Sequence, residues 1–532
     1  MVNAGLRVLM IEKGPARTDG ELRTDSVFGP PLRSALRGDE LKYAIGHYLM
    51  PDQRAERREL VYSEPGEAIP KPQGTSRGWM SQLVGGGSVH YGGASFRQYA
   101  EDFTIESTFG DVLREHDAQL EPHRRAAVSD WPVTGPELDS WYDAAEKLIG
   151  IAGAPKGLPP LPFNSAGRVL AKAHKGKIEV KPTPMAINST NHLGRPPCQN
   201  SGLCQDYACR FNAKSDMRVT LIPRMLETGL LVIRPNTIAT KIEHNGKRAT
   251  SISVVTRMQD GVLVGGEISA PQVVVACETL ESNRLLLASS LGEPDLLGRR
   301  LMFHVTGGAR GLAQNLTTTW DTAPHTSFVD HFYLDSSAGQ DPFIKTGILL
   351  VSSASGPLSS VHGHLWGDEL RRFFDEVYPY KMDLSYIGEG LPTTANRVEL
   401  ISKRDRFGMP GIRVVYQPHP MDLAAGRYIA SKAKEMLKTA GARTEDDVVG
   451  DPFLHKMLSK ATSASRLFHA TGGCWMGEDP ATSVTDETCR IHGFENVYVA
   501  DGSVFPTGSG VNPTLTIQAN ALRVGSMVAG GN

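Results

Sequence analysis

Four groups of residues in this chain have the types and spacing for chemistry. The first runs from Asp501-Gly502 through Asn512-Pro513-Thr514 to Arg523. Leu515, Ala519 and Leu522 recur at helical spacing, which predicts a helix from Thr514 to about Met527. Asn512 is the expected cap, and Pro513 suits a first turn that needs no amide hydrogen. A Gly-rich loop thus delivers a helix N-terminus, whose free N–H groups and partial positive charge suit an anion. The second is His469, in the small-residue turn 466–477. By residue type alone a single histidine is ordinarily structural. The third is Cys198, Cys204 and Cys209. They could hold a 3Fe–4S cluster, form a disulfide plus a free thiol, or stay reduced, and the four-ligand spacings of zinc and ferredoxin sites are absent. The fourth is Glu12, ending the apolar run Arg7-Val-Leu-Met-Ile-Glu12. A carboxylate there could accept hydrogen bonds from a ribose, but no G-x-G-x-x-G occurs anywhere in the chain.

These groups need elements to hold them. Val497-Tyr-Val-Ala500 reads as a short buried strand leading into Asp501. Residues 230–277 read as a β-meander, with Asn245-Gly246 and Asp260-Gly261 as hairpin turns, running into a buried parallel strand and a helix 278–287. Glycines 85, 86, 87, 92 and 93 alternate with Trp79, Val84, His90, Tyr91 and Phe96. That composition suits close backbone approach to a flat or phosphorylated ligand better than a flexible linker. A helix is expected within 130–149, after proline-rich turns. Strand-like runs at 346–351, 397–401 and 411–416, with a helix around 424–440, predict a second unit on an antiparallel sheet with helices on one side. Residues 16–78 read as loops with short helices.

Composition narrows the partners. The chain has 532 residues, 40% hydrophobic and 21% charged, with a formal net charge of −2. Two intimately joined domains are expected at this length. No basic excess points to nucleic acid or an anionic membrane, and no run of about 20 apolar residues predicts a membrane span. The first residues have a strand pattern rather than that of a signal peptide, and six cysteines do not make a disulfide scaffold, so the expected location is cytoplasmic.

Taken in order, the motifs resemble those of the glucose–methanol–choline oxidoreductases, a family of FAD-dependent alcohol oxidases and dehydrogenases. The resemblance rests on Glu12, the Gly-rich segment 85–97 and the cysteine segment ending at Lys214. It continues through Gly298-Arg-Arg-Leu-Met-Phe-His304, 396–400 with 405–410, His469 to Gly477, and Asp501 to Arg523. His-Tyr-Gly-Gly at 90–93 and 510–516 are similar to the sugar- and polyol-oxidising branch, including gluconate dehydrogenase, pyranose oxidase and glycoside 3-oxidases.

The resemblance implies an α/β fold. An FAD-binding Rossmann-like domain (1–15, 75–100, 215–305, 480–532) would carry the meander, an α+β substrate domain (101–214, 306–479) would carry the antiparallel sheet, and 16–74 would form a loop or lid. It implies FAD as cofactor, bound by Glu12, Gly86, Gly87, Ser88, His90, Gly92, Asp501, Gly502, Asn512, Pro513 and Thr514, with His90 at a position where some relatives attach the flavin covalently. It implies His469 as the base and Asn512 as its partner. Together they take the hydroxyl proton of a sugar, glycoside or polyol while hydride leaves for flavin N5, and the helix at Pro513 faces the charge that develops on the flavin. Oxygen or another acceptor would then take the electrons. Two departures stand out. The G-x-G-x-x-G turn is missing, so the sequence is expected to be shortened at that end, and Cys277-Glu278 stands where small residues are usual. The alternatives are a dehydrogenase subunit passing electrons through an iron–sulfur cluster to a cytochrome, and a flavin-free remnant.

Overall fold

Two short parallel strand pairs carry the apolar runs expected of a dinucleotide-type sheet. In the computed structural model, which describes residues 1–16, 57–74, 81–200, 204, 208–317, 323, 325–352, 365–459 and 467–530, Val8–Ile11 lies parallel to Leu231–Arg234 and Val273–Val275 parallel to Val497–Val499. Parallel neighbours need long connections, which is why each pair joins segments far apart in the chain. The second pair is buried in a core shared with Leu515, Ala519 and Val524 of the helix Thr514–Val528.

Between these strands in sequence, Thr237–His244, Ala249–Arg257 and Leu263–Ile268 form the expected antiparallel meander. Leu231–Arg234 is not part of it, because its hydrogen bonds go to Val8–Ile11. The helix after Val273–Val275 is Thr279–Ser289, and Glu278 caps it by accepting the Leu280 N–H at 3.1 Å. The helix expected after the proline turns is Gly135–Ile149, entered through a Thr134/Glu137 capping box.

The second unit is a five-stranded antiparallel sheet in the order Val305–Leu312, Lys381–Gly388, Gly347–Ser352, Ser327–Val329, Lys181–Pro182. Side chains alternate across it. Leu349, Val351, Met382 and Leu384 pack with Ile429, Ala433 and Leu437 of the helix Pro420–Thr439. Ile348, Leu350 and Ile387 pack the other way, with Ala94 and Phe96 of the Gly-rich segment and with Val511. That second face is what brings the sheet to the site.

Two expectations need correction. Residues 16–78 are not all loops and short helices: Arg58–Tyr62 is a strand parallel to Pro410–Tyr416. With Arg397–Arg404 and Gln73–Gly74 these strands form a separate four-stranded sheet, so the runs at 397–401 and 411–416 lie outside the antiparallel one. The physical reason is tertiary. Arg58 reads as a surface residue, yet it is 1% exposed and paired with Glu281 at 2.8 Å. Most of the expected lid (17–56), Trp79 and Arg466 lie outside the described residues. No helix among the described residues is long and apolar enough to cross a membrane.

Candidate active site

The His469 turn and the Asp501 stretch are hydrogen-bonded side by side. Gly472 N–H donates to the Gly502 carbonyl at 3.0 Å, Cys474 N–H to Ser503 at 2.9 Å and Met476 N–H to Val504 at 2.9 Å. Gly473 makes this approach possible: its φ is +96°, and a Cβ there would stand 2.3 Å from the Asn283 side-chain amide. His469 itself has φ +57°, a left-handed conformation that a non-glycine residue adopts at a cost. Such backbone is held only where the surroundings over-determine it, and it clusters at functional sites.

Those surroundings include the segment leading into Val305–Leu312. Met302 and Thr471 exchange backbone hydrogen bonds of 2.9 and 3.0 Å, and His304 N–H donates to the Phe468 carbonyl at 3.2 Å. This register sets the two imidazoles together, with Nδ1 of His304 2.9 Å from Nδ1 of His469 and the rings nearly perpendicular at 82°. Burial pushes His469 down to about 4, and burial, His469 and Lys345 hold His304 well below the usual histidine range. Both rings are therefore neutral near pH 7, and a neutral imidazole can accept a proton.

The loop 507–512 is fixed from three sides. Thr507 accepts from the Trp131 indole at 2.8 Å and donates to the Asp102 carbonyl at 3.2 Å. Gly510 N–H donates to the Tyr333 hydroxyl at 2.9 Å, and its carbonyl accepts from Ile348 at 3.1 Å. Here one expectation fails: Asn512 does not cap the helix. Pro513 occupies the N-cap position with φ −82°, and no side chain caps Thr514–Val528. The Oδ1 of Asn512 is instead buried without a hydrogen-bond partner. An orphaned buried oxygen costs about 1–3 kcal/mol, so its retention points to a group that comes to it.

Glu12 follows the strand Val8–Ile11, and the start of the Gly-rich segment packs against that strand end. Glu12 Oε1 accepts the Gly14 N–H at 2.6 Å, and burial raises its carboxyl to about 7. Val84 N–H donates to the Pro15 carbonyl at 3.1 Å, and a Cβ on Gly14 would collide with the Gln82 carbonyl oxygen at 1.9 Å. The Gly-rich turn is thereby pressed against the strand end. Gly86 and Gly87 have open space where side chains would stand. Ser88 donates to the Gly85 carbonyl at 2.7 Å and accepts from Met217 N–H at 3.0 Å, a structural use of its hydroxyl. Buried His90 lies 2.8 Å from Ser81 Oγ through Nδ1, and burial and then Lys214 push it down to about 4. Gly92 faces His325, which a Cβ would meet at 3.6 Å.

Asp501 accepts from Ser503 N–H at 2.9 Å, from the Ser503 hydroxyl at 2.6 Å and from Ser282, and burial raises its carboxyl. Cys277 is solvent-accessible, yet burial and the carboxylates of Asp501, Glu281 and Glu12 raise its thiol to about 12. It lies within the electrostatic reach of the Glu12 and Asp501 carboxylates. A Cβ on Gly502 would stand 3.2 Å from the Ala470 carbonyl and the Thr279 hydroxyl. Open glycines, an orphaned amide oxygen and an uncapped helix N-terminus fit FAD.

Cys198, Cys204 and Cys209 are all unpaired thiols, and burial raises Cys204 to about 12. Among the described residues no group of three or more His, Cys, Asp or Glu side chains is arranged to hold a metal ion. Residue patterns missed His304, Trp131 and Lys345. His304 was visible only as the last residue of the 298–304 motif, and its role depends on a partner 165 positions away.

A nucleotide-type strand frame meeting a helix N-terminus and a neutral imidazole belongs to flavin-dependent oxidoreductases. The chain belongs to the GMC oxidoreductase family, matching its N-terminal part over residues 59–306 and its C-terminal part over 392–521. It is an FAD-dependent oxidoreductase of CH–OH groups. It is 30% identical to the 6'''-hydroxyparomomycin C oxidase of Streptomyces lividus and 31% identical to the paromamine 6'-oxidase of Streptomyces fradiae, in each case over 85% of this chain and 79% of the relative. The pyridoxine 4-oxidase from Mesorbium loti has the same fold, with a TM-score of 0.58 at 18% identity over 99% of this chain and 95% of that one.

Proposed function

We propose that this protein oxidises an alcohol group of a sugar or amino-sugar glycoside, with His469 as the base and Asn512 holding the substrate hydroxyl. The observation that carries the reading is the half-buried, neutral His469 imidazole, held on a left-handed backbone 2.9 Å from His304. When bound, FAD supplies the hydride acceptor. His469 takes the hydroxyl proton, since hydride can leave a carbinol carbon only as the O–H bond breaks. Asn512, whose Oδ1 lacks a partner, orients that hydroxyl, accepting through Oδ1 or donating through its amide nitrogen. Glu12, Gly86, Gly87, Ser88, His90, Gly92, Asp501 and Gly502 would line the cofactor, and the first-turn N–H groups after Pro513, including that of Thr514, would face its anionic reduced form.

The aminoglycoside oxidases at 30 and 31% identity make aminoglycosides the first substrates to try, followed by free sugars, polyols and gluconate. The test is anaerobic mixing of FAD-loaded protein with each compound while flavin absorbance is followed. Reduction by one of these substrates, slowed about 10²-fold or more in His469→Ala with FAD still bound, is the expected result. Wild-type reduction rates in His469→Ala would remove the base assignment. Repeating the reaction with oxygen and with artificial dyes identifies the acceptor.

A further inference from the structure

His469 has two ring nitrogens, and only one can face the substrate. The other, Nδ1, lies 2.9 Å from Nδ1 of His304. At that distance two N–H groups would clash and two lone pairs would repel, so the pair shares a single hydrogen. With both rings neutral, one carries its proton on Nδ1 and the other on Nε2. The choice is binary, and it decides whether His469 can act as a base towards substrate.

His304 makes the choice. A ring that takes a proton from substrate needs a bare Nε2, so with His469 as the base its own hydrogen sits on Nδ1. At 2.9 Å, His304 Nδ1 must then offer a lone pair to accept that hydrogen, which places the hydrogen of His304 on Nε2 and leaves His469 Nε2 bare. We propose that His304 is a positioning residue, whose ring locks His469 in the tautomer that presents an Nε2 lone pair to the substrate hydroxyl. The proposal rests on the assignment of His469 as base.

The neighbouring charges keep this lock neutral. His304 is 4% exposed, lies 2.9 Å from His469 and sits in the positive field of Lys345. Lys345 is itself fully buried, 2.9 Å from Asp102 and 2.6 Å from Glu389. A buried ammonium this near disfavours a second positive charge on His304. When the substrate O–H bond breaks, the new N–H bond forms at His469 Nε2. The Nδ1 proton stays where it is, still donated to His304, and the imidazolium keeps its hydrogen bond. A neutral acceptor stabilises that cation less than a carboxylate would.

Nitrogen-15 NMR of histidine-labelled protein reads the tautomer directly, without FAD or substrate, with the His469 signals assigned by their loss in His469→Gln. The expected spectrum at neutral pH has a pyrrole-type Nδ1 and a pyridine-type Nε2 on His469. The reverse pattern overturns the proposal, even if His304 variants fail to fold. In FAD-loaded protein, His304→Phe, which keeps the ring volume and removes the acceptor, should slow flavin reduction about 10–100-fold, the range for residues that orient another imidazole. His304→Asn, whose amide oxygen falls near the former Nδ1, should recover most of that loss. If His304→Phe reduces at the wild-type rate while His469→Ala does not, this proposal fails and the base assignment survives. If His469→Ala is also unimpaired, the base assignment itself has failed.

Discussion

At the scale of single residues, the site works by withholding solvation. Burial alone accounts for the depressed basicity of His469, so its proton-accepting form persists far below the usual histidine range. Catalysis needs the neutral ring, so activity is lost as pH falls through its pKa. The expected kcat/KM profile for flavin reduction is flat through pH 6 and declines only towards about 4. A limb at about 6.5, the unperturbed value, would show that substrate or flavin resolvates the ring. Asn512 makes the second prediction. Since its Oδ1 has no partner and makes no capping hydrogen bond to the helix, Asn512→Ala should leave the helix intact. Flavin reduction should fall about 10²-fold, as for loss of other oriented amides at reacting oxygens. Far-UV circular dichroism and rapid mixing separate the two effects.

At the scale of elements, the loop 507–512 is held by close backbone approach rather than by its own conformation. A Cβ on Gly510 would lie 2.6 Å from Gly347 Cα and 2.8 Å from the Tyr333 ring. Gly510→Ala must therefore push the strand Gly347–Ser352 and the loop apart, at about 1–3 kcal/mol for overpacking. The expected outcome is a lower Tm together with slower flavin reduction, because the displaced loop carries Asn512. A drop in Tm with unchanged reduction would mean that Asn512 is positioned from the helix side instead.

At the scale of the whole molecule, buried charge ties distant segments together and sets the response to pH. Lys345, Asp102, Glu389 and Tyr333 come from four separate stretches, with Tyr333 donating to both Asp102 oxygens at 2.9 Å. Glu389 touches the ammonium at 2.6 Å without a well-directed hydrogen bond, and burial raises its carboxyl. Lys345→Met would leave Asp102 uncompensated and should cost about 3–5 kcal/mol in denaturant unfolding. Glu278 acts through pH. Burial raises its carboxyl from 4.5 to about 8, so between those values the folded chain holds a proton that the unfolded chain has released. Folding stability from this group is therefore lost as pH rises through about 8. Glu278→Gln, which can still cap its helix, should match the wild-type Tm near pH 4.5 and exceed it increasingly up to about pH 8, where the difference levels off. A constant difference across that range would show that Glu278 is solvated in the folded protein.

Local chemistry was legible in the residues themselves. Proline and a capping box start Gly135–Ile149, Asn-Gly and Asp-Gly turn the meander, and apolar spacing marks Thr514–Val528, because each depends on neighbours within a few positions. The order of motifs was enough for the family and its cofactor. Contacts between distant segments were not legible. Arg58–Tyr62 is a strand because Pro410–Tyr416 lies beside it and Glu281 neutralises Arg58. Asn512 looks like a cap in sequence, but in the packed loop its oxygen accepts no helix N–H. The His304–His469 pair joins residues 165 positions apart, and the sharing of one hydrogen between them is a consequence of distance that no spacing encodes. Sequence determined which chemical groups were present and which short elements would carry them. Tertiary structure decided which groups meet, and burial at the meeting point decided their protonation.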